Sequence, residues 1–156
     1  MNKRFVLALC ALSFSSLGLI GASHAFSPAL SNAASSLSSK VDAEQYSVEM
    51  SPIPAYKAGE QGLVSIVIKP KSGYHINSEY PYKVKAADPT PHGISYPKPV
   101  LRREDGSFSE QEAAFKLPVI ASQNGNYKVG GTVSLSVCSE SNCITQKHQL
   151  ETDIEV

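Results

Sequence analysis

Cys138 and Cys143 bracket four polar residues, Ser139-Glu140-Ser141-Asn142, between two strand-like runs. Two thiols this close can cycle between dithiol and disulfide, clasp a hairpin permanently, or start a metal site. Each use needs different surroundings. A metal site needs further ligands, and the four-residue gap is wider than the two-residue chelate of zinc knuckles. His148 falls on the opposite face of its strand by parity, and no spacing fixes His75 or Met50 relative to the pair. No metal or other cofactor is expected. No Ser-His-Asp arrangement, phosphate-binding loop or metal-binding helix motif is present either.

The magnitudes weigh against a purely structural bond. A disulfide stabilises mainly by closing a loop in the unfolded chain, which gives roughly 2 kcal/mol for so short a loop and ~4.7 for ~100 residues. A staple gains more by joining distant strands. Directly opposed strand residues hold their Cβ atoms ~4.5–5.5 Å apart, whereas a relaxed disulfide prefers ~3.8 Å. A strained bond is more easily reduced. Against ready self-activation, Glu140 inside the loop disfavours a thiolate, and the nearest cation in sequence is Lys147. The partner is therefore expected to supply the attacking thiolate.

Two strands must position these thiols. Val133, Leu135 and Val137 share one face of the first strand, and Thr132, Ser134, Ser136 and Cys138 share the other. Ile144, Leu150, Ile154 and Val156 share one face of the second strand, with Cys143, Thr145, Lys147 and Gln149 opposite. Alternation thus puts both cysteines on polar faces.

The compartment follows from the start of the chain. Met1-Asn2-Lys3-Arg4 is basic, Phe5 to Gly21 is apolar or small, and Ser23-His24-Ala25 ends in small residues. This pattern reads as a signal peptide over residues 1–25, cleaved after Ala25. The run is shorter than the ~20 apolar residues a spanning helix needs. Cys10 leaves with it, and two cysteines remain, an even number. The mature chain is expected to be periplasmic or secreted, with no insertion into a membrane. Losing Lys3 and Arg4 from 14 basic residues leaves 12 against 14 acidic ones, a net charge of about −2. That argues against nucleic acid as a partner.

Residues 26–45 form a Ser/Ala-rich leader read as flexible. Residues 46–156 read as one domain with a period of two. Val48 and Met50 alternate with polar neighbours, Leu63 to Ile68 is β-branched, and Tyr82 to Lys85 alternates. Ala114 to Ile120 carries Pro118, which suggests an edge strand. Tyr127 to Val137 and Ile144 to Val156 are the longest runs. Turn residues separate the runs, as in Lys71-Ser72-Gly73 and Asn124-Gly125-Asn126. No helix of ordinary length is evident. The expectation is an all-β sandwich.

Several segments, taken in order, resemble the amino-terminal periplasmic domain of the thiol:disulfide interchange protein DsbD. Lys71-Ser72-Gly73-Tyr74-His75 is similar to that family's glycine-tyrosine strand entry. Phe115-Lys116-Leu117-Pro118-Val119 is similar to its leucine-proline-valine strand. Gly131 to Cys138, followed by Cys143, resembles the strand that leads into its redox hairpin. The resemblance covers roughly 110 residues. It implies an immunoglobulin-like sandwich that passes reducing equivalents between thioredoxin-like partners, with Cys138 and Cys143 as the exchanging pair. In that family the second cysteine, here Cys143, makes the interdomain bond. A shielding loop would fall at Arg103 to Phe108, with Phe108 as its aromatic, and Tyr74 could line the same site. The sequence departs from the family in three ways. The cysteine gap is one residue shorter than usual, and the loop lacks the usual aromatic run. The chain also ends at Val156 with neither the electron conductor nor the thioredoxin-like domain of the full-length family protein, so the expectation is either a domain that borrows a partner or one that has kept the fold and changed the job.

Tyr74 to Tyr82 is dense in aromatics and reads either as a docking surface or as ordinary packing at the sandwich rim. Two functions from different classes stay open: dithiol–disulfide exchange, and a non-enzymatic binding module whose hairpin disulfide is a permanent clasp.

Overall fold

A computed structural model describes residues 37–156. The segment read as a signal peptide, residues 1–25, and residues 26–36 of the segment read as a leader lie outside the described residues. The described chain is all-β, with two antiparallel sheets packed as a sandwich. One sheet contains β1 (Lys40–Asp42), β2 (Tyr46–Ile53), β3 (Gln61–Pro70), β6 (Ile94–Ser95), β8 (Ser107–Phe108) and β9 (Ala113–Ala121). The other contains β4 (His75–Ile76), β5 (Lys83–Ala86), β7 (Val100–Arg102), β10 (Asn126–Cys138) and β11 (Cys143–Glu155). The helical residues among those described are the 3₁₀ turn Arg103–Asp105.

The period-two pattern builds the core. Val48, Met50, Val64, Ile66, Ile68, Phe115 and Leu117 from the first sheet are buried in one cluster with Val84, Leu101, Val133, Leu135, Val137, Leu150 and Ile154 from the second. Each large side chain so buried contributes about 1.5–3 kcal/mol. Opposite parity leaves Lys83, Lys85, Thr145 and Lys147 on the outside of the second sheet.

The folded unit starts before Tyr46. Strand β1 lies inside the segment read as a leader and pairs with β2, with Val41 opposite Val48. Lys40–Glu49 and Lys71–Asp42 ion pairs flank it. Three residues are too few to show a period. Pro118 is not on the outermost strand of its sheet, because β9 has partners on both sides, β3 along its length and β8 and β6 at its two ends. On the side away from β3, however, the partners of β9 among the described residues are β8 at Ala113–Ala114 and β6 at Ile120–Ala121. The stretch Phe115 to Val119 is open there, so proline's missing N–H falls on a locally open side.

In the second sheet β10 is central. It pairs with β11 along its whole length, and on its other side with β5 at Gly131–Ser134 and with β4 at Val137–Cys138. The strands close in tightly around Gly130 and Gly131. A Cβ on Gly130 would lie 2.6 Å from the Leu150 carbonyl oxygen, and one on Gly131 2.5 Å from that of Lys85. This ladder presents the cysteine hairpin at the end of the sheet.

Candidate functional site: the Cys138–Cys143 hairpin

The hairpin turn is built from its own side chains. Ser139 N–H donates to the Asn142 carbonyl at 2.8 Å, and the Ser139 hydroxyl donates to the same oxygen at 3.2 Å. The same hydroxyl oxygen accepts from the Asn142 N–H at 3.2 Å and from the Ser141 N–H at 3.4 Å. Serine in this position mimics a turn of backbone. Cys138 then stands directly opposite Cys143. The two are disulfide-bonded, with Cα atoms 4.0 Å apart. Since Ser139 and Asn142 make the hydrogen-bonded pair, Cys138 and Cys143 occupy the closer, non-hydrogen-bonded position beside it.

Both sulfurs lie on the outer face of the second sheet, as strand parity requires. The inner face at this end is taken by Val137, which is fully buried, and by Ile144. The two cysteines are not equally accessible. Cys138 is 6 % exposed, whereas Cys143 is exposed. Parity alone does not show this. Cys138 ends a central strand with a neighbour on each side, while Cys143 begins a strand that, among the described residues, has a sheet neighbour on one side.

The structure supplies the cross-strand neighbours that the sequence leaves unplaced. His75 on β4 is opposite Cys138, so His75, Cys138 and Cys143 form one row across three strands on one face. The next row is Asn77, Ser136 and Thr145. The Asn77 amide donates to the Ser136 hydroxyl oxygen at 3.2 Å, and the Thr145 hydroxyl does so at 3.4 Å. Ser136 is fully buried and thereby hydrogen-bonded. Beyond it, Lys83, Ser134 and Lys147 form a third row with two exposed cations. Glu140 sits in the exposed turn.

Below this face lies an aromatic cluster. The buried Tyr82 hydroxyl donates to the Ser136 carbonyl. Burial raises its pKa above 10.0. Phe108 is half-buried, with its ring centroid 5.0 Å from Tyr82 and 5.5 Å from Phe115, and the Arg103 guanidinium lies 4.3 Å above it. These contacts anchor Phe108 in the sandwich, and none of them is with the cysteines. The loop that carries it does reach the site's flank, because Ile76 N–H donates to the Glu110 carbonyl at 2.9 Å. Tyr74 is half-buried against the core one residue before His75. Tyr80 packs edge-on against Tyr82 at 5.1 Å. The Tyr74–Tyr82 stretch therefore spends Tyr74, Tyr80 and Tyr82 on packing and leaves His75 exposed.

His148 is turned away from the pair, as parity predicts. Its Nε2 is 2.6 Å from the Tyr46 hydroxyl, and burial holds its pKa below 6.5. Among the described residues, no cluster of three or more His, Cys, Asp or Glu is placed to hold a metal ion. Among them, too, no helix is long and apolar enough to cross a membrane. Comparison of the chain with protein-family models, with curated proteins and with solved structures finds no match.

Proposed function

We propose that this domain is an exported thiol–disulfide exchange module, periplasmic or secreted, that passes reducing equivalents between thioredoxin-like partners through Cys138 and Cys143. One observation carries the reading. The disulfide sits on the outer face of a sheet, at the end of a 13-residue ladder that already fixes both strands, and it joins an exposed cysteine, Cys143, to a buried one, Cys138. A bond so placed adds little to the fold and can be attacked at Cys143. The partner's thiolate displaces Cys138, and the partner's second thiol then releases the mixed disulfide. The resemblance to the DsbD amino-terminal domain points the same way, as does the sandwich, with an immunoglobulin-like topology as the expectation. Phe108 and Tyr74 contribute to the docking rim in this reading rather than to the chemistry.

The test is a trap. A Cys138→Ala variant keeps the exposed thiol and is expected to hold a thioredoxin-like partner as a mixed disulfide on a non-reducing gel. A Cys143→Ala variant, with only the buried thiol, is expected to trap far less. No adduct with either variant would reject exchange. The burial of Cys138 favours the second reading, a binding module with a permanent clasp, and that reading predicts this negative result.

A further inference from the structure

We infer that His75 is the proton carrier for the Cys138 sulfur, an inference that rests on the exchange reading above. The two sulfurs differ in what happens to them. Attack on the exposed Cys143 forms a bond between the partner sulfur and Cys143 Sγ. The Cys138–Cys143 bond breaks, and its electron pair goes to Cys138 Sγ. Cys138 is 6 % exposed, so water solvates a thiolate there poorly. A neighbouring acid must give it a proton, or a neighbouring cation must stabilise it, for Cys138 to leave readily.

His75 holds the position for this task. It is paired directly with Cys138 across β4 and β10, on the face that carries both sulfurs. Directly paired residues place their Cβ atoms ~4.5–5.5 Å apart, within reach of an imidazole. Its own side chain is exposed and can trade protons with solvent. The other charged groups on the surrounding elements are worse placed. Lys83 on β5 and Lys147 on β11 are two rows away, and Glu140 is in the turn beyond the pair. Past β4, Glu112 is 3.5 Å from Lys69, and Lys71 is 2.7 Å from Asp42. Glu110 meets β4 through its backbone carbonyl. His75 is the titratable side chain in the cysteines' own row. On attack the imidazolium gives its proton to Cys138 Sγ. In the reverse direction, the neutral imidazole takes that proton as Cys138 attacks the mixed disulfide and expels the partner thiolate.

Two measurements test this. In a Cys143→Ala background, the thiolate absorbance of Cys138 is followed against pH with His75 present and with His75→Gln. The transition is expected to move to higher pH when the imidazole is lost. Superimposable curves would overturn the inference. In the protein with both cysteines, the rate of disulfide reduction by a small dithiol near pH 7, divided by the concentration of the dithiol's thiolate, is expected to fall roughly tenfold in His75→Gln. A change of less than twofold would also overturn it. The absorbance readout needs no partner. If the Cys138 curve shifts while no thioredoxin-like protein exchanges with the pair, the exchange reading fails and the His75 placement stands. Partner exchange with an unmoved curve gives the reverse.

Discussion

Reducing the disulfide should loosen this domain without unfolding it, and the loss follows from the loop it closes. The bond joins residues five apart in sequence. Loop-closure entropy for so small a ring amounts to about 2 kcal/mol at 25 °C. What remains holds the same strands. Cys138 and Cys143 are the last of 13 facing pairs between β10 and β11, and Val133, Leu135, Val137 and Leu150 stay fully buried beneath them. The described unit has about 120 residues, and unfolding entropy of ~2.1 cal/mol/K per residue turns 2 kcal/mol into a drop in Tm of about 8 °C. The assay is thermal unfolding followed by far-UV circular dichroism, with and without a phosphine reductant, after alkylation confirms that the bond is open. A single cooperative transition, lower by about 8 °C, is expected. Loss of cooperativity, or a drop beyond about 20 °C, would refute the reasoning, because the hairpin would then depend on the bond and could not open in each exchange cycle.

Three further outcomes follow. Burial lowers the His148 pKa below 6.5, so the unfolded chain takes up a proton before the folded one does. Stability is therefore lost as pH falls through 6.5 and levels off below the folded value; Tm measured from pH 8 to 5 should decline, and more shallowly in His148→Gln, whereas equal slopes would contradict the burial account. The Lys71 hydrogen bond to Asp42 and the Arg102 N–H bond to Asp105 depress those carboxyl pKa values, so their stabilisation is lost only as pH falls below about 3.8. Tyr82→Phe removes the hydroxyl bond to the Ser136 carbonyl, which keeps an Asn77 N–H partner at 3.2 Å, so a loss of about 1 kcal/mol, or ~4 °C in Tm, is expected; an unchanged Tm would contradict it.

What could be read from the sequence had a period. Strands β3, β10 and β11 are long enough for alternation to show which side chains face the core, and the polar face of the cysteines follows from it. What could not be read was lateral. Strands β4, β6 and β8 have two residues each and carry no period, so nothing in the sequence places His75 beside Cys138. The burial of Cys138 depends on β10 being flanked on both sides, a property of sheet order rather than of local composition. Ser136 reads as a surface serine by parity, yet it is fully buried and bonded to Asn77 and Thr145. Pro118 shows the same limit, since an open stretch within a paired strand accepts it as well as an edge does.

The reduction potential of the Cys138–Cys143 pair tests the central claim most directly. It is measured by equilibrating the mature protein through a redox-buffer series and counting alkylated thiols by mass spectrometry. Exchange predicts a potential above about −300 mV, within the span of roughly −270 to −120 mV covered by thioredoxin-like exchangers. A bond that stays closed below about −300 mV would contradict it and make the hairpin a clasp.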